Sequence, residues 1–420
     1  MPINRYLNIF LYSTLVIFNG SQTAFAQEPL PNIKLPPGFK IAVYAGKRTK
    51  NGENLRGARF MTFDSTGNLF VSSAEGNKVL MVIDNDKNGI ADEVITVAQD
   101  LNAPQGLAFI GNDLLVANED GVVKLEKNTS PVASQSASQN IRQDANLPWA
   151  AKISPFIKNL PTGGHKLKTI KLSPDGYLYI NVGSSCNVCD ETDPLRATIL
   201  RYTKEGKPAG ALTTLGRHQQ SAIWARGLRN SQGFAWHPVT NDMYATNNGS
   251  DNRSLTKNGA VNDEYPPEHL NKILAAKHYG WPHCWGNQVE DPNFAAPQTG
   301  MGEAGFCKTT QPPEITFTSH STPIGITFLD KSNFPADYRK DAIVALHGSW
   351  NRKTPSGYKL VRVKFKNNQP VEVEDFATGW LAGSNVLGRP VDVAVGTDGA
   401  LYVSDDTAGL IYRITYAANG

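Results

Sequence analysis

No run of like charge longer than a few residues occurs in this chain, and Lys+Arg 41 against Asp+Glu 38 leaves a formal net charge of only +3. That balance argues against nucleic acid as a partner. No apolar stretch reaches the roughly 20 residues that a membrane-spanning helix needs, and no convincing 3.6-residue period of helical length appears. Cysteine is scarce: there are four in 420 residues, with one Cx2C and no second. Without a second Cx2C or a suitably spaced His pair, that motif is a poor zinc site. The Cx2CH phrase that attaches a cytochrome-type haem is absent. A disordered chain is excluded by 40% hydrophobic against 19% charged residues. What the sequence does have is Gly 37 and Pro 26, a content that points to many turns.

The N-terminus has the order of a secretory signal. Arg5 precedes an apolar stretch from Leu7 to Phe18, then polar residues, then Ala24-Phe25-Ala26. Cleavage after Ala26 is expected, leaving an exported chain with no membrane span, periplasmic or secreted. Export makes disulfides the expected state of the cysteines, with free thiols or a metal as alternatives. Proximity in sequence favours Cys186–Cys189 and Cys284–Cys307 among the three pairings that four cysteines allow.

One phrase recurs: an apolar strand, a turn rich in Asp, Asn and Gly, then a second alternating strand. Copies run over Phe60–Val71, Gly106–Val116, Ile170–Ile180, Gly233–Tyr244 and Val391–Val403. A less regular one joins Gly325–Phe328 to Ala342–Ala345. Each is a hairpin signal, and a third short strand follows most copies, as in Lys78–Val82 or Leu410–Ile414. Six such units, each with room for the about 40–45 residues of a four-stranded blade plus long loops, predict an all-β, six-bladed β-propeller. It would span residues 35–420 as a single domain. Lys40–Ala45 reads as an edge strand that completes the last blade and closes the ring. Residues 127–152, rich in Ser, Gln, Asn and Ala, read as a flexible insertion between the second and third blades.

Propellers bind ligands where loops converge on the channel, and three loops carry chemistry. Leu160-Pro161-Thr162-Gly163-Gly164-His165 aims a histidine from a close-approach backbone, although a structural histidine is the plain alternative. Trp224–Gly233 holds Arg226, Arg229, Asn230 and Gln232, donors suited to an anionic or quinonoid ligand, or simply a solvated loop. Asn247–Asp251 with Asn262–Asn271 supplies oxygen atoms of the kind a hard cation such as Ca2+ takes, or ordinary turn chemistry. Separately, Asp84-Asn85-Asp86-Lys87-Asn88-Gly89, with Asp92 at the ninth position, suits a structural calcium loop. Ile95 stands at position 12 in place of Glu, so an Asx-rich turn is the alternative.

These loops, in this order, resemble the soluble pyrroloquinoline quinone (PQQ)-dependent aldose and sorbosone dehydrogenases. Gly163-Gly164-His165 and Leu228-Arg229-Asn230-Ser231-Gln232-Gly233 carry the likeness, with Tyr279-Gly280-Trp281-Pro282 and His347-Gly348-Ser349-Trp350-Asn351-Arg352. The closing Gly388–Ala394 and Tyr402–Asp406 phrases are similar to the sorbosone branch. The resemblance covers about Leu35 to Tyr416. It implies His165 as catalytic base, Arg229 and Asn230 on the quinone and its reacting carbonyl, and Gln105, Arg352 and Arg389 as further cofactor contacts. It also implies that the main-chain carbonyls of Gly249 and Ser250 ligate a cofactor-bound calcium. The implied reaction oxidises a sugar or sugar aldehyde by hydride transfer to the quinone, with His165 taking the hydroxyl proton and a separate molecule taking the electrons. Two positions depart from the glucose dehydrogenase branch: Gly164 stands where that branch has an acid, and Val391 where it has a second arginine. A calcium-dependent propeller lactonase and a non-catalytic propeller binding protein are the rival readings. The arginines in the channel loops speak against the first, and the three polar loops in the family's order against the second.

Overall fold

The computed structural model describes residues 30–126, 152–212, 221–294 and 303–417. The expected signal segment 1–26 and residues 127–151 of the expected insertion lie outside them. Lys152 instead opens a strand, Lys152–Ile157.

Six four-stranded antiparallel sheets follow one another along the chain. Blade 1 runs from Ala58–Phe63 at the axis through Leu69–Ser73 and Lys78–Ile83 to Glu93–Ala98. Blade 2 starts at Leu107–Ile110, blade 3 at Ile170–Leu172, blade 4 at Phe234–Trp236, blade 5 at Pro323–Phe328 and blade 6 at Pro390–Val395. The fourth strand of blade 6 comes from the N-terminal side. Phe39–Ala45 pairs with Leu410–Tyr416, placing Ile41 opposite Ile414. The ring is closed as the Lys40–Ala45 edge strand predicts, and the all-β six-bladed propeller is the observed fold. Among the described residues one short α-helix occurs, Glu303–Thr309, tied to the rest by a Cys284–Cys307 disulfide.

The two-residue period of a strand explains why consecutive inner-strand residues are all buried. In blade 1, Leu69 and Val71 pack toward blade 6, while Phe70 between them packs toward blade 2. Leu80 and Val82 repeat the first choice, Val79 and Met81 the second. Blade 3 does the same with Leu178 and Ile180 on one side and Tyr179 on the other. The core is therefore six slabs between neighbouring blades, rather than one centre. The recurring turn also has a physical basis. Gly67, Gly176 and Gly399, each two residues before the buried leucine of the next strand, have φ of 91°, 84° and 76°, where a side chain is strained.

Blade 5 contains an ion pair sealed from solvent. Arg362 donates to Asp341 through Nε at 2.7 Å, Phe365 N–H donates to the other Asp341 oxygen at 2.8 Å, and Asp341 is wholly buried. Asp341→Ala should cost about 3–5 kcal/mol, because it strands a buried guanidinium and an amide. Urea denaturation of the two proteins measures it.

Candidate active site

The segments that enter successive blades meet over one end of the channel, and Arg59 spans it. Its Nε donates to Gln105 Oε1 at 2.9 Å, Nη2 to Gln232 Oε1 at 3.1 Å and Nη1 to Asp406 Oδ2 at 2.6 Å. Gln105 in turn donates to Thr169 Oγ1 at 3.1 Å, and His347 Nε2 lies 3.0 Å from Asp406 Oδ1. Burial pushes the Asp406 carboxyl up, but the His347 hydrogen bond and the His347 and Arg59 charges bring it down to about 2. Gln105 is thus a floor residue, fully buried and with its carbonyl oxygen already engaged by Arg59.

His165 stands above this floor. Gly163 and Gly164 precede it with φ of 77° and 60°, and a Cβ on Gly164 would lie 2.5 Å from Ser184 O. The close approach lets Ser184 O accept the His165 main-chain N–H at 2.9 Å. His165 Nδ1 lies 2.9 Å from Ser184 Oγ and 3.1 Å from Ser184 O. The Ser184 hydroxyl donates its single hydrogen to Cys186 O at 2.7 Å, so it can only accept from the imidazole. Both neighbours of Nδ1 are acceptors. The proton therefore sits on Nδ1, and the Nε2 lone pair is free. Burial, and then the charge of Arg229, lower the His165 pKa to about 4. The loop beneath is clamped by Glu119, which accepts from Gly163 N at 2.8 Å, and by buried Lys168, which donates to Pro161 O at 2.7 Å and Lys166 O at 3.1 Å.

Arg229 lies across the channel mouth, buried. Its Nε donates to Asn187 O at 3.2 Å, and its Nη2 donates to Asn187 Oδ1 and to Asp251 Oδ2, both at 3.0 Å. Nη1 makes no hydrogen bond among the described residues. Asn351 Nδ2 donates to the other Asp251 oxygen at 2.7 Å. Next to Asp251, Gly249 N–H donates to the buried carboxylate of Glu268, which burial pushes up to about 7. Among the described residues, the carbonyls of Gly249 and Ser250 accept no hydrogen bond. Arg389 Nη2 donates to Gly348 O, Ser349 O and Tyr358 Oη at 3.2, 3.0 and 3.1 Å, with no carboxylate against its guanidinium. Arg352 is held by Asp263 O and Ser319 O, each at 3.1 Å, and by the Glu264 carboxylate.

Three buried amide oxygens in these loops, those of Asn230, Asn248 and Asn351, have no hydrogen-bond partner, nor has Arg352 Nε. Orphaned buried polar atoms of this kind call for a ligand or ordered water. Four guanidiniums suit an anion, and free carbonyl and amide oxygens suit a hard cation. The structure thus brings His165, Arg229, Asn230, Gly249 and Ser250 together, with Gln105 in the floor and Arg352 and Arg389 at the rim. The Asp84 loop stands apart, in the hairpin between the third and fourth strands of blade 1. There the Asp84, Asp86 and Asp92 carboxylates lie within 4.8 Å of one another. Asn88 turns its amide oxygen to Ile90 N–H at 2.8 Å.

Sequence reasoning missed Arg59, Asp406, Ser184 and Asn187 as site residues. Arg59 had a signal, a charged side chain inside an apolar innermost strand. Asp406 lay in a quoted phrase without a role. Ser184 and Asn187 gave no signal, since their partners come from other blades. The Cys186–Cys189 disulfide that brackets Asn187 is formed, as is the other expected pair.

Comparison with known proteins agrees with this geometry. A PQQ-dependent pyranose dehydrogenase of Coprinopsis cinerea is 22% identical over 434 residues, covering 93% of this chain and 55% of that enzyme. An aldose sugar dehydrogenase of Escherichia coli K12 is 26% identical over 264 residues, covering 62% of each chain. This chain thus spans less than two thirds of the length of either relative. Its fold matches the calcium structure of a Trichoderma reesei carbohydrate-active enzyme of family AA12 with a TM-score of 0.73, at 20% identity, covering 94% of this chain and all of that one. The resemblance to PQQ-dependent sugar dehydrogenases is borne out. The family model of the TrAA12-like proteins matches residues 37–417, and this chain belongs to the TrAA12-like family.

Proposed function

We propose that this protein oxidises a sugar or sugar aldehyde with PQQ and Ca2+ bound over the channel, and passes the electrons to a separate acceptor. The observation that carries the reading is one constellation: a neutral histidine with its Nε2 free, set beside buried arginines, orphaned amide oxygens and unbonded carbonyls. A non-catalytic propeller has no need of such a base. A lactonase holding Ca2+ by side chains spread over several blades would not need the cations.

The bound quinone would supply the two-electron acceptor, and Ca2+ would polarise its reacting carbonyl. Arg229, through Nη1, and Arg389 would hold its carboxylates, with Arg352 at the rim. The Asn230 amide would face its oxygens, and the Gly249 and Ser250 carbonyls would ligate the calcium. His165 Nε2 would take the hydroxyl proton of the substrate. Ser184 keeps the acceptor on that side of the ring by fixing the hydrogen on Nδ1. The low pKa of the ligand-free site ensures that the imidazole is unprotonated near neutral pH. Export by the segment 1–26 would place the activity in the periplasm or outside the cell, with residues 35–420 as one catalytic domain.

The test is reconstitution of the purified protein with PQQ and Ca2+ and a panel of aldoses and sorbosone, read with a dye acceptor. A quinone absorbance that bleaches on adding sugar supports the reading. Calcium-dependent lactone hydrolysis without quinone would favour the lactonase, and no turnover the binding protein. Arg229→Ala should weaken quinone binding by about 10-fold or more and lower the rate as well, since a charge-assisted contact is lost and Asp251 is left unpaired. Titration of quinone fluorescence measures the affinity.

A further inference from the structure

Asn187 is joined to the base, the cofactor arginine and the cation loop at once. Its carboxamide closes a two-bond ring with the peptide of Asp251: Oδ1 accepts Asp251 N–H at 2.8 Å and Nδ2 donates to Asp251 O at 2.9 Å. The same Oδ1 accepts Arg229 Nη2 at 3.0 Å. Its main-chain oxygen accepts Arg229 Nε at 3.2 Å, Trp281 Nε1 at 3.1 Å and Ser250 Oγ at 3.4 Å. One residue of blade 3's loop thus receives both donors of the Arg229 edge and fixes the segment that follows Gly249 and Ser250. Asn187 is itself held, because the Cys186–Cys189 disulfide closes the loop around it and Cys186 O takes the hydroxyl of Ser184 beside His165.

We propose that Asn187 is a positioning residue that sets the spacing between Arg229 and the Gly249–Asp251 segment, with the Cys186–Cys189 disulfide holding Asn187 in place. The chemistry selects asparagine. Only a carboxamide gives a donor and an acceptor in one plane to a single peptide group. Aspartate would keep the acceptor, lose the donor and set a second negative charge against Asp251. A flexible loop would leave Arg229 free to collapse onto Asp251 alone, and a misplacement near 1 Å at such a site costs about 100-fold in rate. The proposal rests on the functional reading given above only for its link to the cofactor.

The test compares Asn187→Ala and Asn187→Asp with the wild type in two measurements. In the ligand-free protein, amide hydrogen exchange at Asp251 should rise about 10-fold or more in Asn187→Ala, with the blade strands unchanged. Exchange in Asn187→Asp should rise less, because the acceptor for that amide remains. In the presence of Ca2+, the dissociation constant for PQQ should rise about 10-fold in Asn187→Ala, while the imidazole 15N signature of His165 stays that of the Nδ1–H tautomer, because Ser184 is intact. Unchanged exchange at Asp251 overturns the proposal. If the wild type takes up no quinone, the functional reading fails, and the exchange measurement still decides the role of Asn187. Should Asn187→Ala not fold, Cys186→Ser/Cys189→Ser carries the test. An increase of 3-fold or more in Asp251 exchange supports the proposal, and none overturns it.

Discussion

Glutamine or alanine in place of His165 should lower kcat by about 10²–10⁴-fold and leave the dissociation constant for PQQ within a few-fold of the wild type, because only proton abstraction is lost. The split is expected from the geometry. The His165 side chain touches only Ser184, through Nδ1, and takes no part in holding Arg229 or the Gly249–Ser250 segment. Near-normal turnover in either variant would remove His165 from the mechanism. The pH behaviour follows with a definite sign. The imidazole pKa lies at about 4 in the ligand-free protein, against about 6.5 for an unfolded chain. Its neutral form is thus fully populated above pH 6.5, and the stability it contributes is lost as pH falls from there through 4. An anion bound at Arg229 offsets one of the charges that lowers this pKa, so loading with quinone should raise it. An NMR titration of the ring, with and without quinone, would show the shift. A pKa that stays at 4 on loading would mean that no anion sits beside Arg229.

Much of the fold was legible because each blade repeats a local event, a strand pair with a glycine forced to positive φ, and local events are written in sequence. Blade 5 was read least well. Its hairpin is interrupted by the 329–341 connection, which packs Phe334 and Tyr338 against Phe39 of the closing strand. The site was legible in part for a related reason. His165, Arg229 and Asn230 stand in compact phrases, but what activates or orients them comes from other blades. Nothing near Gly163-Gly164-His165 says that Ser184 lies 2.9 Å from the ring. Gly164 stands where the glucose dehydrogenase branch has an acid, and the ring is oriented here by a hydroxyl and a main-chain carbonyl. Arg59 shows the same limit. Its four-way bridge joins residues 46, 173 and 347 positions away, and no window of sequence contains it.

Stripping the reconstituted enzyme with chelator should abolish quinone-dependent turnover, and Ca2+ should restore it, because the reacting carbonyl must be polarised by a hard cation. The Gly249–Ser250 segment would act through main-chain oxygens, so changes to its conformation should matter more than changes to its side chains. Gly249→Pro deletes the N–H that Glu268 accepts, leaving a buried carboxylate short of a donor, a loss of about 1–3 kcal/mol before any shift of the carbonyls. Ser250→Ala deletes only a hydroxyl donating at 3.4 Å to Asn187 O and should stay within a few-fold of wild type. The order of the two variants is the test of the main-chain assignment, and Ser250→Ala as damaging as Gly249→Pro would overturn it. The blade 1 hairpin supplies the control. If Asp84, Asp86 and Asp92 hold an ion, Asp86→Asn should lower the melting temperature measured in Ca2+ and leave turnover per folded molecule nearly unchanged, since that hairpin makes no contact with the channel loops. Full quinone-dependent activity in a preparation shown by metal analysis to contain no divalent ion would rule out a calcium-assisted reaction, whatever the propeller binds.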